Sequence, residues 1–124
     1  MRGKHVLCVD DDPDILKVRK LLLESKGYSV ITAGSGQQAL EHISKEPDVD
    51  LVLLDYRMPG MNGDELAQKL RQRFPSLRLI AVSGVEDLPE QLLKNVDASV
   101  PKASDPELLL SAIAQSLRRA ERGT

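Results

Sequence analysis

Aromatic residues are nearly missing from this sequence. Tyr28, Tyr56 and Phe74 are the only ones, 2% of 124 residues, and tryptophan is absent. Any core must therefore be aliphatic, and single-stranded nucleic acid, whose bases need ring platforms, is a poor fit. Cys8 is the single cysteine, which excludes an internal disulfide and a cysteine metal centre. It stands inside an apolar stretch, where a small buried hydrophobe belongs. Charge is balanced, with a net value of -2, so no polyanion partner is implied. Long apolar runs are missing too: the first, Val6 to Val9, is far too short for a signal peptide or a membrane span. The expectation is a cytoplasmic protein with no membrane contact and no direct nucleic-acid contact. Its length suits one domain over residues 1–124, with a core over about 4–118 and a charged tail over 119–124.

What is present is a regular alternation. Leu51-Val52-Leu53-Leu54-Asp55 is an unbroken aliphatic run ending in a carboxylate, and Tyr56-Arg57-Met58-Pro59-Gly60 breaks it at once. Such a run suits a strand buried on both faces of a parallel sheet. Val6 to Val9, Tyr28 to Ala33, Leu77 to Val82 and Ala98 to Val100 read as further strands. Between them lie helical patterns. Asp12 caps a first helix with Pro13 at its first position and Ile15, Val18 and Leu22 as its inner face, and Gly27 stops it. Ser35 and Gln38 have the spacing of a capping box, ahead of Ala39, Leu40 and Ile43, with Pro47 as the stop. Asn62 with Glu65 opens a third helix lined by Leu66, Leu70 and Phe74. Asp87 precedes a fourth carrying Leu92, Leu93 and Val96. Asp105 and Pro106 begin a fifth, with Leu109, Ile113 and Leu117 on one face and a fraying charged tail from Arg118.

Strands alternating with helices predict an α/β fold: a doubly wound, five-stranded parallel sheet with helices on both faces, a flavodoxin-like (βα)5 arrangement. Right-handed crossovers place every strand's carboxyl end on one rim. That rim collects Asp10, Asp11, Asp55, Ser83 and Lys102, and ligands bind beyond the carboxyl ends of such strands. Crowded carboxylates repel; at about 4 Å and an effective dielectric near 20, each pair costs roughly 4 kcal/mol. A hard cation relieves this, and oxygen ligands beside an anionic substrate favour Mg²⁺. An aspartate can act as a nucleophile and form an aspartyl phosphate. Lys102 is then placed to pair with phosphoryl oxygens and the Ser83 hydroxyl to donate to another.

Two other readings fail. Asp10, Asp12 and Asp14 mimic the start of a calcium loop, but Ile15 stands where glycine is needed and Leu21 where a bidentate glutamate belongs. Gly34-Ser35-Gly36-Gln37-Gln38-Ala39 fits a dinucleotide fingerprint, yet it leaves Asp10, Asp11 and Lys102 unexplained; a turn with a capping box accounts for it. His5 and His42 sit on different elements and make no ligand pair.

The chain resembles the receiver domain of bacterial two-component response regulators over nearly its whole length. The residues that carry the resemblance are Val9-Asp10-Asp11-Asp12, Leu54-Asp55 through Gly63, Val82-Ser83-Gly84 and Val100-Pro101-Lys102. The resemblance implies that Asp55 is the phosphoacceptor. Asp11 is then a direct Mg²⁺ ligand, Asp10 acts through water, and the backbone carbonyl of Arg57 completes the protein ligands. Ser83 takes the switch-hydroxyl position and Lys102 the matching lysine. The phosphoryl group comes from a histidine kinase, a phosphotransfer protein or a small phosphodonor, and the domain has no turnover on an outside product. A homodimer or output domain is expected to use the face of the fourth helix, fifth strand and fifth helix. Two positions depart from the pattern. Ser99 replaces the aromatic that rotates on activation. Ala103 replaces the proline after Lys102, which predicts either a trans Lys102–Ala103 bond or a strained cis one, costing about 3 kcal/mol. An alternative resemblance is to a haloacid-dehalogenase-type phosphohydrolase, with Asp10 as nucleophile and Asp12 as acid/base, although no acidic pair follows Lys102.

Overall fold

A computed structural model describes residues 4–46, 48–84 and 86–122. The strands are β1 (His5–Val9), β2 (Ser29–Ala33), β3 (Leu51–Asp55), β4 (Arg78–Ser83) and β5 (Ala98–Pro101). They pair in parallel in the order β2-β1-β3-β4-β5. The helices α1 (Pro13–Ser25), α2 (Gly36–Lys45), α3 (Gly63–Arg73), α4 (Glu90–Leu93) and α5 (Pro106–Arg122) fill the crossovers. The doubly wound α/β prediction holds.

Alternate side chains of each strand face opposite sides of the sheet, and this divides the core in two. Leu7, Val9, Val52, Leu54, Leu79 and Ala81 pack with α2 and α3. Val6, Cys8, Leu51, Leu53, Ile80 and Val82 pack with α1 and α5. β3 lies at the centre and all its residues are buried, which is why its sequence does not alternate. Cys8 is fully buried, and loss of hydration pushes its thiol pKa up to about 12. This is the inert hydrophobe read from sequence.

Local predictions held unevenly. Asp12 caps α1, accepting from Asp14 N and Ile15 N, with Pro13 in the first turn. The inner face of α1 is not the expected one, however. Leu16, Arg19 and Leu23 are buried, while Ile15 and Leu22 are half-buried and Val18 is 66% exposed. Both sets have helical spacing; the packing of α1 against β1 and β2 selects the second. At α2, Ser35 accepts from Gln38 N, but the Gln38 side chain accepts from Gly34 N, so only half of the capping box forms. Asn62 holds the N-cap position of α3 without capping it; its side chain accepts from Met58 N instead. α4 is a single turn that begins after Pro89 and ends before Val96. α5 runs through Arg118 to Arg122, where fraying was expected. All peptide bonds among the described residues are trans, that between Lys102 and Ala103 included. Pro47, the expected α2 stop, lies outside the described residues.

Candidate functional site

The parallel sheet brings the predicted residues to one rim. Asp10 follows β1, Asp55 ends β3, Ser83 ends β4, and Lys102 follows β5. Backbone pairing carries this order past the strands: Asp10 N donates to Ala33 O at 3.1 Å, and Lys102 N donates to Ser83 O at 2.9 Å. These bonds fix where each side chain leaves the sheet.

One carboxylate oxygen from each of Asp10, Asp11 and Asp55 lies within 4.8 Å of the others. Asp10 is fully buried and Asp55 is 4% exposed, whereas Asp11 is open to solvent. Asp10 Oδ1 accepts from Asp12 N at 2.9 Å, which orients the carboxylate. Lys102 Nζ bridges the other oxygens, 3.0 Å from Asp10 Oδ2 and 3.1 Å from Asp55 Oδ2. Burial raises the Asp55 pKa above the ordinary carboxylate value; the hydrogen bond from Lys102 opposes the rise, and the charges of Asp10 and Asp11 add to it. For Lys102, burial alone lowers the pKa, but Asp10 and Asp55 outweigh it and the net shift is upward. All ligand atoms are hard oxygens on an anionic, mostly dry rim, so the donor set fits a hard divalent cation such as Mg²⁺.

Two features escaped sequence reading. Arg19 is buried on the inner face of α1, with Nη1 3.7 Å from Asp10 Oδ2. The available signal was an arginine inside the stripe Leu16, Arg19, Leu23, since a buried cation needs an acid nearby. Gly63, first in α3, presses on the end of β3. Its N–H donates to Tyr56 O at 2.6 Å, and a β-carbon there would overlap the Asp55 carbonyl. With Asn62 holding Met58 N at 3.0 Å, this sets the loop that carries Arg57. The Arg57 side chain is exposed, with its guanidinium 6.0 Å from the Tyr56 ring centre. Ser99 is exposed on β5, and the cleft of about 370 Å³ beside it is lined by Ser83, Leu88, Pro101 and Lys102.

A family model described as response regulator receiver domain matches residues 6–114. Among curated proteins, the transcriptional regulatory protein GlrR of Escherichia coli is 37% identical over 123 residues, covering 97% of this chain and 28% of that protein. The DNA-binding response regulator MtrA of Mycolicibacterium smegmatis is 34% identical over 120 residues, covering 95% and 52%. The chain thus spans about a quarter to a half of the length of these relatives. Of solved structures, a CheY-like receiver domain protein from Methanospirillum hungatei superimposes with a TM-score of 0.91 at 34% identity, over 98% of this chain and 99% of that one. The response regulator TrrA from Thermotoga maritima, solved in complex with Mg(2+)-BeF, gives 0.85 at 29% identity, over 91% and 98%. The haloacid-dehalogenase alternative finds no support here. Asp12, its acid/base, is exposed and spent on capping α1.

Proposed function

The chain belongs to the response regulator receiver domain family, and from that premise we propose that Asp55 accepts a phosphoryl group from a histidine kinase or phosphotransfer protein. The observation that carries this reading is the Lys102 ammonium held between Asp10 and Asp55 beside a third carboxylate, Asp11. It is a cation already next to the nucleophile and able to leave one acid for an incoming anion.

Lys102 engages Asp55 Oδ2, which leaves the other oxygen to attack. That oxygen forms a bond to phosphorus as the bond to the donor's imidazole nitrogen breaks in line, and the bonding pair leaves with the imidazole. The attacking carboxylate must be ionised. Burial works against this and Lys102 works for it. Asp11, Asp55 and the Arg57 backbone carbonyl would hold a Mg²⁺ ion here. Asp10, whose oxygens are engaged by Asp12 N and Lys102, would contribute through water, as in the family it resembles. When bound, the ion supplies positive charge against the carboxylates and the phosphoryl oxygens. Lys102 then leaves Asp10 to pair with the phosphoryl group, and the Ser83 hydroxyl donates to another of its oxygens. The domain acts on its own Asp55 and turns over no outside product.

Phosphorylation pulls on the loops after β4 and β5, and this biases the surface they carry. Ser99 offers no ring to rotate, so the signal passes through the loop backbone. Each helix of the expected output or dimer face carries an exposed leucine, Leu93 on α4 and Leu108 on α5. The phosphodonor meets a different surface. A groove of about 350 Å³ runs between α1 and α5 beside Lys102, lined by Ile15, Val18, Leu22, Pro101 and Pro106. An apolar face of the donor seated there brings its phosphohistidine to the rim. No helix among the described residues is long and apolar enough to cross a membrane, and we place the domain in the cytoplasm with its kinase.

Mass spectrometry after acetyl phosphate treatment, with and without Mg²⁺, tests the assignment. The expected result is one modification, on Asp55, that needs Mg²⁺ and is lost in Asp55→Asn. Label on Asp10 or Asp11 in the wild type overturns it.

A further inference from the structure

The Arg19 side chain is a buried cation that the phosphoryl-transfer reading does not use. It comes from the middle of α1, is 9% exposed, lines the groove between α1 and α5, and brings its Nη1 to the Asp10 carboxylate. The separation of 3.7 Å from Asp10 Oδ2 is too long for a hydrogen bond, and Nη1 has no other hydrogen-bond partner among the described residues. A guanidinium is not placed in an aliphatic core, with an unmade bond, for packing alone, since its burial is costly without an anion. The same oxygen of Asp10 also faces Lys102. One buried carboxylate therefore faces two cations. One of them, Lys102, is a quarter exposed on the rim, and the other, Arg19, is 9% exposed on α1.

From this geometry we infer that Arg19 is a resident counter-ion of Asp10 that sets the affinity of the acidic cluster for Mg²⁺ and takes over Asp10 Oδ2 when Lys102 leaves. The inference rests on the metal assignment above and adds a positioning residue to it. Arg19 brings a guanidinium charge to the cluster. Its charge partly neutralises the cluster and so competes with a divalent ion. Its unpaired Nη1 needs to move by less than 1 Å to reach hydrogen-bond distance from the oxygen that Lys102 vacates. The cluster then tolerates both metal-free and phosphorylated states without stranding Asp10 as a lone buried anion.

The test is a Mg²⁺ titration, read by calorimetry and by Tm, on wild type, Arg19→Met and Arg19→Lys. Met keeps the apolar stem and loses the charge. Its Mg²⁺ Kd should fall about tenfold, and the Tm difference between metal-free and Mg²⁺-saturated protein should widen. Arg19→Lys should return both toward wild type. A packing role predicts a lower Tm at every Mg²⁺ concentration with Kd unchanged, and that result overturns the inference. An Arg19→Lys that behaves as Arg19→Met overturns it too, because the effect is then one of shape. Wild type that binds no Mg²⁺ sinks the metal assignment and this inference with it; unchanged affinity in Arg19→Met sinks only the inference. Should Arg19→Met fail to fold, the wild type alone decides. The Arg19 Nε–Hε NMR resonance should shift on Mg²⁺ addition with the midpoint of the Asp11 amide, and a resonance indifferent to Mg²⁺ overturns the proposal.

Discussion

At the amino rim of the sheet, Asp97 is held at 2.8 Å by Leu79 N–H, at 3.1 Å by Arg71 Nη2 and at 3.2 Å by Arg78 Nη1. At the carboxyl rim, Asp10, Asp11 and Asp55 share the cations Lys102 and Arg19. The residue types are the same and the balance is reversed. Asp97 has more donors than charge, and Arg71 is also spent on the carbonyls of Pro75, Leu77 and Asn95. That network ties the end of α3 to the starts of β4 and β5, with every Asp97 contact made and only the buried Arg78 Nε left without a hydrogen-bond partner. The carboxyl rim keeps one negative charge in excess of its cations. A matched network fixes structure; an unmatched one stores affinity for whatever completes it.

The largest expected effect breaks this comparison at Asp55. Asp55→Asn should remove acetyl-phosphate labelling, by more than about a hundredfold. It should also raise the metal-free Tm by a few degrees, on the order of the shift that about 1 kcal/mol brings. The sign follows from the raised pKa of Asp55: the folded state holds this proton more tightly than the unfolded chain, so the ionised group weakens the metal-free fold at neutral pH. Metal-free wild type should gain stability as pH falls toward the ordinary carboxylate range, and Asp55→Asn should lose that gain. A metal-free Asp55→Asn that melts below wild type contradicts the picture of an unmatched rim.

Gly63→Ala comes next. The added methyl meets the backbone of Asp55 and Tyr56, which cannot turn aside as a side chain can. A loss of about 3 kcal/mol in urea unfolding is expected. Gly36→Ala is the control, since there the nearest atoms to the new methyl belong to the Met61 side chain and not to backbone; equal losses at the two positions would remove the special status of Gly63. At the amino rim, Asp97→Ala should cost about 2 kcal/mol by stranding the Arg78 guanidinium and the Leu79 N–H, while labelling of Asp55 and Mg²⁺ affinity stay at wild-type levels. A large drop in labelling, with the protein still folded, would mean the rims are coupled.

The smallest effect is alkaline. Lys102 and Cys8 both hold their protons more tightly when folded. Each therefore supports the fold below its unfolded value and loses that support as pH rises toward its folded one. For Cys8 the window runs from about 9.0 to about 12; for Lys102 it opens above 10.5. Melting curves from pH 8 to 11 should show Tm falling, with a shallower fall in Cys8→Ala and an unchanged initial slope in Lys102→Met. An identical slope in Cys8→Ala removes the thiol from the account.

Much of this was readable in advance because parallel topology does most of the placing. Once the aliphatic runs at Val6, Leu51 and Leu77 are strands joined by helices, right-handed crossovers send Asp10, Asp55, Ser83 and Lys102 to one rim whatever the details. The turn after β5 was half-readable: Ala103 left two isomers open, and the structure is trans. The fourth helix was over-read, because Leu92, Leu93 and Val96 have helical spacing but only one turn forms around buried Leu92.

The order of strands, their burial and the gathering of acids opposite a lysine were written in the chain, since they depend on local pattern and on a handedness common to all such folds. Which face of α1 turns inward was not. Ile15, Val18 and Leu22 compete with Leu16, Arg19 and Leu23, and a helix with apolar residues on both sides has no preferred rotation until the sheet supplies a surface. Only the assembled fold sets Asp10 under that helix and so gives a buried arginine the anion it needs.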